Sequence, residues 1–122
     1  MKNVPFFNYP YLFKSQEEEF VKIFKDVGTR GAFILQKDLA EFEKNLASFA
    51  GTKYAIGLAN GTDAIWLALM AAGIGKGDEV IFASHTYIAT AAAIHFVGAT
   101  PVPADCKSDH MIDSESVKSL IT

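Results

Sequence analysis

At 122 residues, half of them hydrophobic and a fifth charged, the chain has the length of one domain and a globular rather than disordered composition. A net charge of -3 gives no electrostatic pull toward nucleic acid or an anionic membrane. Asp63 and Lys76 flank the longest apolar run, so no window offers the ~20 uncharged apolar residues of a membrane span.

Met1-Lys2-Asn3-Val4-Pro5 has no apolar signal core behind it, and Cys106, the only cysteine, cannot form an internal disulfide. Both features point to a reducing cytoplasm, with Cys106 as a small buried hydrophobe.

Residues 1–14 carry Phe6, Phe7, Tyr9, Tyr11 and Phe13 between Pro5 and Pro10. The prolines argue against a regular helix, and the aromatics would be costly to leave in water. The expectation is an arm that packs onto something larger. Residues 15–51 follow as two helices and a loop. Ser15 with Glu18 is a capping-box pair, and Phe20, Ile23, Phe24 and Val27 form one apolar stripe ending near Gly28. Gly31 to Leu35 is a short apolar loop. Asp38 with Glu41 repeats the capping pattern, Leu39, Phe42, Leu46 and Phe49 form the next stripe, and Gly51 stops it.

From residue 52 to residue 122 the pattern alternates strand and helix. Tyr54 to Ala59 predicts a strand covered on both faces, and Ala64 to Ala72 a helix. A turn at 73–78 leads to a strand over Glu79 to Ala83, and Thr86 to Val97 predicts a second helix. Pro101 to Ala104 predicts a third strand, whose two prolines argue for an edge position or pairing on one side only. Asp113 caps a last helix over Ser114 to Ile121. Such repeats imply parallel strands joined by helical crossovers, hence an α/β fold in a single module.

Two strand ends carry polar clusters. At Asn60-Gly61-Thr62-Asp63 a strand runs into a helix, presenting free backbone N–H groups and the positive end of the helix dipole to an anion such as phosphate. Gly61 allows close approach and a backbone conformation barred to other residues, while the Thr62 hydroxyl adds a donor. The same four residues also suit a plain N-cap, tight turn and first-turn acid. Ser84-His85-Thr86-Tyr87 ends the next strand, and Tyr87 is either a core residue or a ring that stacks on a flat heteroaromatic ligand. Gly73 to Gly77 is glycine-dense but follows a helix and precedes a strand, the reverse of a dinucleotide loop, and no Walker-type loop is present. His95 and His110 lack companions at metal-ligand spacing, and His85 is a weaker candidate than Tyr87.

Taken in order, several segments resemble the N-terminal part of the DegT/DnrJ/EryC1/StrS sugar aminotransferases. They are Gly31 to Leu35, Phe42-Glu43, Phe49 to Ala55, Asn60 to Ala64, Gly75 to Ile81, Ser84 to Thr90 and Val97 to Val102. The resemblance implies the start of the large domain of a fold-type I enzyme using pyridoxal 5′-phosphate (PLP). It further implies transfer of an amino group, from glutamate as the usual donor, to a keto group of a nucleotide-linked sugar by a homodimer. Within it, Asn60, Gly61, Thr62 and Asp63 match the phosphate-holding segment and Tyr87 the ring that stacks on the pyridine. Gly31 to Leu35 resembles a loop near the dimer interface and the active-site entrance, and the aromatic arm a dimer-building segment. Asn60 stands where serine is more usual, and Gln36 where glycine often ends the loop.

The chemistry also needs a lysine that forms a Schiff base and an acid that pairs with the pyridine nitrogen. In the family both lie downstream of the matched region, and no lysine here falls in a matching motif. The expectation is therefore half a site, with no catalytic residue of its own and little PLP binding by the isolated chain. The alternative is a truncated, non-catalytic module that keeps the fold start for binding or dimerisation.

Overall fold

A computed structural model describes residues 4–122, so the first three residues of the aromatic arm lie outside the described residues. The chain divides into two compact units, Met1–Gly57 and Leu58–Thr122.

The first unit holds helices α1 (Tyr9–Arg30) and α2 (Lys37–Ala50). Helix α1 starts earlier than the sequence predicts. Asn8 is its N-cap, with Oδ1 accepting the Tyr11 N–H at 3.2 Å, and Pro10 falls in the first turn, where a missing N–H costs nothing. The arm is therefore helical from Tyr9 onward. Ser15 caps nothing; its hydroxyl donates to the Leu12 carbonyl inside the helix at 2.8 Å. The helix also runs past Gly28 to Gly31, whose φ of 61° supplies the left-handed cap.

Helix α2 begins at Lys37, one residue before the expected capping acid, with Gln36 at the N-cap position and no side-chain cap. Arg30 donates to Asp38 at 3.1 Å and to Asp26 at 2.8 Å, linking the two helix ends that flank the 31–36 loop. These hydrogen bonds hold the Arg30 guanidinium above the ordinary arginine pKa and the Asp38 carboxyl below the ordinary carboxylate value. Gly51 ends α2 at φ 68°, as the sequence predicts.

Residues Tyr54 to Ala59 form no strand, although their composition predicts one. They find no ladder partner among the described residues, and Ile56 is 78% exposed. The segment is held instead by the Glu43 carboxylate, whose Oε1 accepts the Gly57 N–H at 2.7 Å. Glycine permits that approach: a Cβ at Gly57 would lie 2.6 Å from Leu39 Cδ1.

The second unit contains α3 (Gly61–Ala71), β1 (Glu79–Ala83), α4 (Ala89–Phe96), β2 (Thr100–Ala104) and α5 (Ser114–Leu120). Strands β1 and β2 pair in parallel, Glu79 opposite Thr100 through Ala83 opposite Ala104. The sheet therefore has two strands, not three, among the described residues. Helix α4 packs on both strands and on α3, while α5 packs on β2. Its Ala93 and Ile94 are buried with Ala99 and Ala104, and the small side chains let helix and sheet approach closely. Ile94, at 1% exposure, is the largest fully buried side chain. Asp113 caps α5 as predicted, accepting the Glu115 N–H at 3.0 Å. No helix among the described residues is long and apolar enough to cross a membrane.

Candidate functional site

The direction in which α3 and α4 run decides which residues meet. Trp66 in the middle of α3 contacts Phe96 at the end of α4 edge-on, with centroids 6.2 Å apart. Trp66, Met70, Gly73 and Ile74 line a cleft of about 360 Å³ with Phe96 and Val97. One turn further, a Cβ on Gly98 would lie 3.6 Å from the Lys76 backbone nitrogen. The C-terminal ends of both helices therefore lie together. The helices run side by side in the same direction, so their N-terminal ends share the opposite end of the unit. That end receives Asn60 to Asp63 from one helix and Ser84 to Tyr87 from the other. It is also where β1 and β2 end, since the Ser84 N–H donates to the Ala104 carbonyl at 2.9 Å.

The turn at Asn60 is built as an N-cap with donors to spare. Asn60 Oδ1 accepts the Asp63 N–H at 2.9 Å, and its carbonyl accepts the Ala64 N–H at 3.1 Å. Asn60 Nδ2 donates to Asp63 Oδ2 at 3.0 Å, turning that carboxylate into the cap's own hydrogen-bond pair. The Gly61 and Thr62 N–H groups have no partner among the described residues. They head an eleven-residue helix whose dipole adds positive potential at the same point. A Cβ at Gly61 would meet nothing within 4 Å, so the approach is open.

One expectation is corrected here. Gly61 lies in α3 and is absent from the glycines with positive φ, so its use is access rather than an unusual backbone conformation. The helix starts at Gly61, three residues before Ala64, because the Asn60 side chain already satisfies the first turn. The cap and anion readings are thus compatible: Asn60 and Asp63 form the cap, while Gly61 and Thr62 keep free donors.

Tyr87 is not a core residue; it is 79% exposed. It precedes α4, which starts at Ala89 rather than at Thr86. The Tyr87 carbonyl accepts the Thr90 N–H at 3.1 Å, and the Thr86 and Thr90 hydroxyls lie 3.0 Å apart. Sequence reasoning missed one pairing at this end. The His85 and His110 rings lie tilted against each other with centroids 5.0 Å apart, His110 having a φ of 66° in the short hairpin around the Cys106–Ile112 bridge. Nothing in the sequence spacing announces that contact, because it depends on how the hairpin folds back over the strand ends. No group of three potential metal ligands occurs among the described residues.

The residues at this end fit a phosphorylated, flat cofactor: two unpaired amides and a hydroxyl for the anion, and an exposed ring at the same end of the unit. Lys76, at the opposite end with Gly98, cannot serve it, and Lys107 faces Asp113 at 3.8 Å.

A helix terminus with free amides at one end of a parallel α/β unit is a feature of a class of cofactor-binding folds. The chain belongs to one family in particular: residues 14–122 match the DegT/DnrJ/EryC1/StrS aminotransferase family. It is 39% identical over 120 residues to the dTDP-3-amino-3,4,6-trideoxy-alpha-D-glucose transaminase of Streptomyces venezuelae, covering 98% of this chain and 32% of that protein. It superposes on S. venezuelae DesV, solved in complex with a ketimine intermediate, with a TM-score of 0.94 and 37% identity over 100% of this chain and 33% of DesV. NtdA from Bacillus subtilis with bound cofactor PMP gives a TM-score of 0.93 at 31% identity, over 100% of this chain and 28% of NtdA. The chain therefore spans about a third of the length of the relatives it matches. The fold is the α/β fold of these aminotransferases, as the sequence resemblance implies.

Proposed function

We propose that the chain is the N-terminal portion of a PLP-dependent aminotransferase that moves an amino group, from glutamate, onto a keto group of a nucleotide-linked sugar. The observation that carries the cofactor assignment is the pair of unpaired Gly61 and Thr62 amides at the α3 terminus, sharing one end with the exposed Tyr87 ring. The names of the relatives support the sugar and the amino transfer.

In this reading PLP supplies the electron sink of transamination, and the chain's own residues bind and orient it. The Gly61 and Thr62 amides and the Thr62 hydroxyl would donate to its phosphate. Asn60 and Asp63 hold those amides in place by capping α3, and Tyr87 offers one face for the pyridine. The cofactor-linking lysine and the acid facing the pyridine nitrogen belong to the remaining two thirds of the relatives' length. The proposal extends to a homodimer in the cytoplasm. Exposed apolar side chains on the first unit, including Phe6, Phe7 and Ile34, support a large covering partner or the rest of a longer chain.

The test is cofactor retention with the reading frame carried to the length of its relatives. Thr62→Ala is expected to weaken PLP binding roughly tenfold or more, the effect of losing a charge-assisted donor. Tyr87→Ala should weaken it less. Equal PLP occupancy of wild type and Thr62→Ala after dialysis would remove the phosphate assignment.

A further inference from the structure

Tyr87 presents a problem of order. Its ring is almost wholly in solvent, and among the described residues no other aromatic ring packs on it. A free ring must give up rotamer and backbone freedom when it stacks on a ligand. The residue that would cap α4, Ile88, has no side chain able to do so. The backbone at Tyr87 is instead bracketed from both sides by one residue in the first turn of α4. Thr90 donates its N–H to the Tyr87 carbonyl at 3.1 Å, and its hydroxyl meets the Thr86 hydroxyl at 3.0 Å, one of the two donating to the other. Thr90 is half-buried on α4, the helix that carries the core residues Ala93 and Ile94, so the bracket is anchored to a helix that packs into the core.

We propose that the Thr86–Thr90 hydroxyl pair is a positioning device for the cofactor ring site: it fixes the backbone of Tyr87, and so the point from which the exposed ring reaches to stack. The inference rests on the assignment of Tyr87 to the pyridine ring and adds two residues that act only through it. Neither threonine touches the cofactor in this account. Their contribution is the preorganisation of a side chain that nothing else holds.

The experiment is a mutant cycle on the protein with its reading frame extended to the length of its relatives, reading the PLP dissociation constant by equilibrium dialysis. Thr86→Val and Thr90→Val are each expected to weaken PLP about three- to tenfold, the fold-change carried by one ordinary hydrogen bond. The double variant should lose no more than the worse single one, and Thr86→Ser should restore wild-type affinity. In a Tyr87→Ala background the same Thr86→Val change should have no effect, an outcome that general loss of stability would not produce. Hydrogen exchange at the Thr90 amide, without cofactor, should quicken in Thr86→Val and not in Thr86→Ser.

Wild-type affinity in Thr86→Val overturns the proposal, as does an undiminished Thr86→Val effect in the Tyr87→Ala background. Those results leave the ring assignment standing if Tyr87→Ala alone weakens binding. Wild-type affinity in Tyr87→Ala overturns the ring assignment and the positioning role together.

Discussion

The two units show the same sequence logic with opposite outcomes for burial. In the first, the stripes of α1 and α2 have helical spacing, yet Phe24 stays 75% exposed, Phe49 91%, and among the described residues only Ala47 is buried. In the second, a short βαβ segment closes on itself and buries Ala93, Ile94, Ala99 and Ala104. Hydrophobic period places an apolar face on a helix; a core needs an opposing layer, and β1, β2 and α4 supply one locally. The first unit therefore depends on backbone capping, the Arg30 ion pairs and the Glu43–Gly57 hydrogen bond, whereas the second depends on packing.

That contrast can be broken by mutation, and the largest effect belongs to the core. Ile94→Ala should destabilise the chain by about 2–5 kcal/mol, against roughly 0.5 kcal/mol or less for Phe49→Ala. Urea unfolding of chain 1–122 measures both. A Phe49 cost approaching that of Ile94 would show that the first unit has found a covering surface, through association or otherwise.

An intermediate effect is expected at Glu43. Glu43→Ala leaves the half-buried Gly57 amide without its carboxylate and should cost about 1.5–3 kcal/mol, with Glu43→Gln recovering part of it because an amide oxygen still accepts. Faster hydrogen exchange confined to the Gly57 amide is the local signature. Unchanged exchange in Glu43→Ala would mean that the carboxylate does not hold the segment.

The smallest effect is electrostatic. Because Asp38 is held below its ordinary pKa by Arg30, its contribution to stability is complete above the unfolded carboxylate value, about 4, and disappears as pH falls through the lower folded value. Asp38→Asn should flatten stability against pH within that acid window only, and 1 M salt should reproduce much of the change, since all three groups are exposed to solvent. A difference between wild type and Asp38→Asn that widened above pH 6 would contradict the pairing.

Much of the candidate site was legible because its signals are local. Asn60 before Gly61 and Asp63 reads as a helix start from the chain alone, and Asp113 and Gly51 act where the sequence places them. Local signals also misled where two of them compete. Pro10 looked like a helix breaker, but Asn8 two residues earlier makes its position a first turn, where proline is accepted. Ser15 and Asp38 had the spacing of caps, yet one bonds back within α1 and the other answers Arg30 eight residues away.

The resemblance to the aminotransferases, read from collinear segments, named the family that the comparisons show. The contact between His85 and His110 needed the hairpin at 106–112 and left no trace in spacing.

The helix start at Asn60, the strand and helix segments between 79 and 104 and the amphipathic helices were thus determined by the sequence itself, since each depends on residues within a few positions of one another. Only the tertiary structure decided that Tyr87 is a solvent-facing ring rather than core. It also decided that Tyr54 to Ala59 is not a strand. The physical reason is the same in both cases: exposure and strand pairing are properties of a neighbour, and a strand composition without a ladder partner remains a coil.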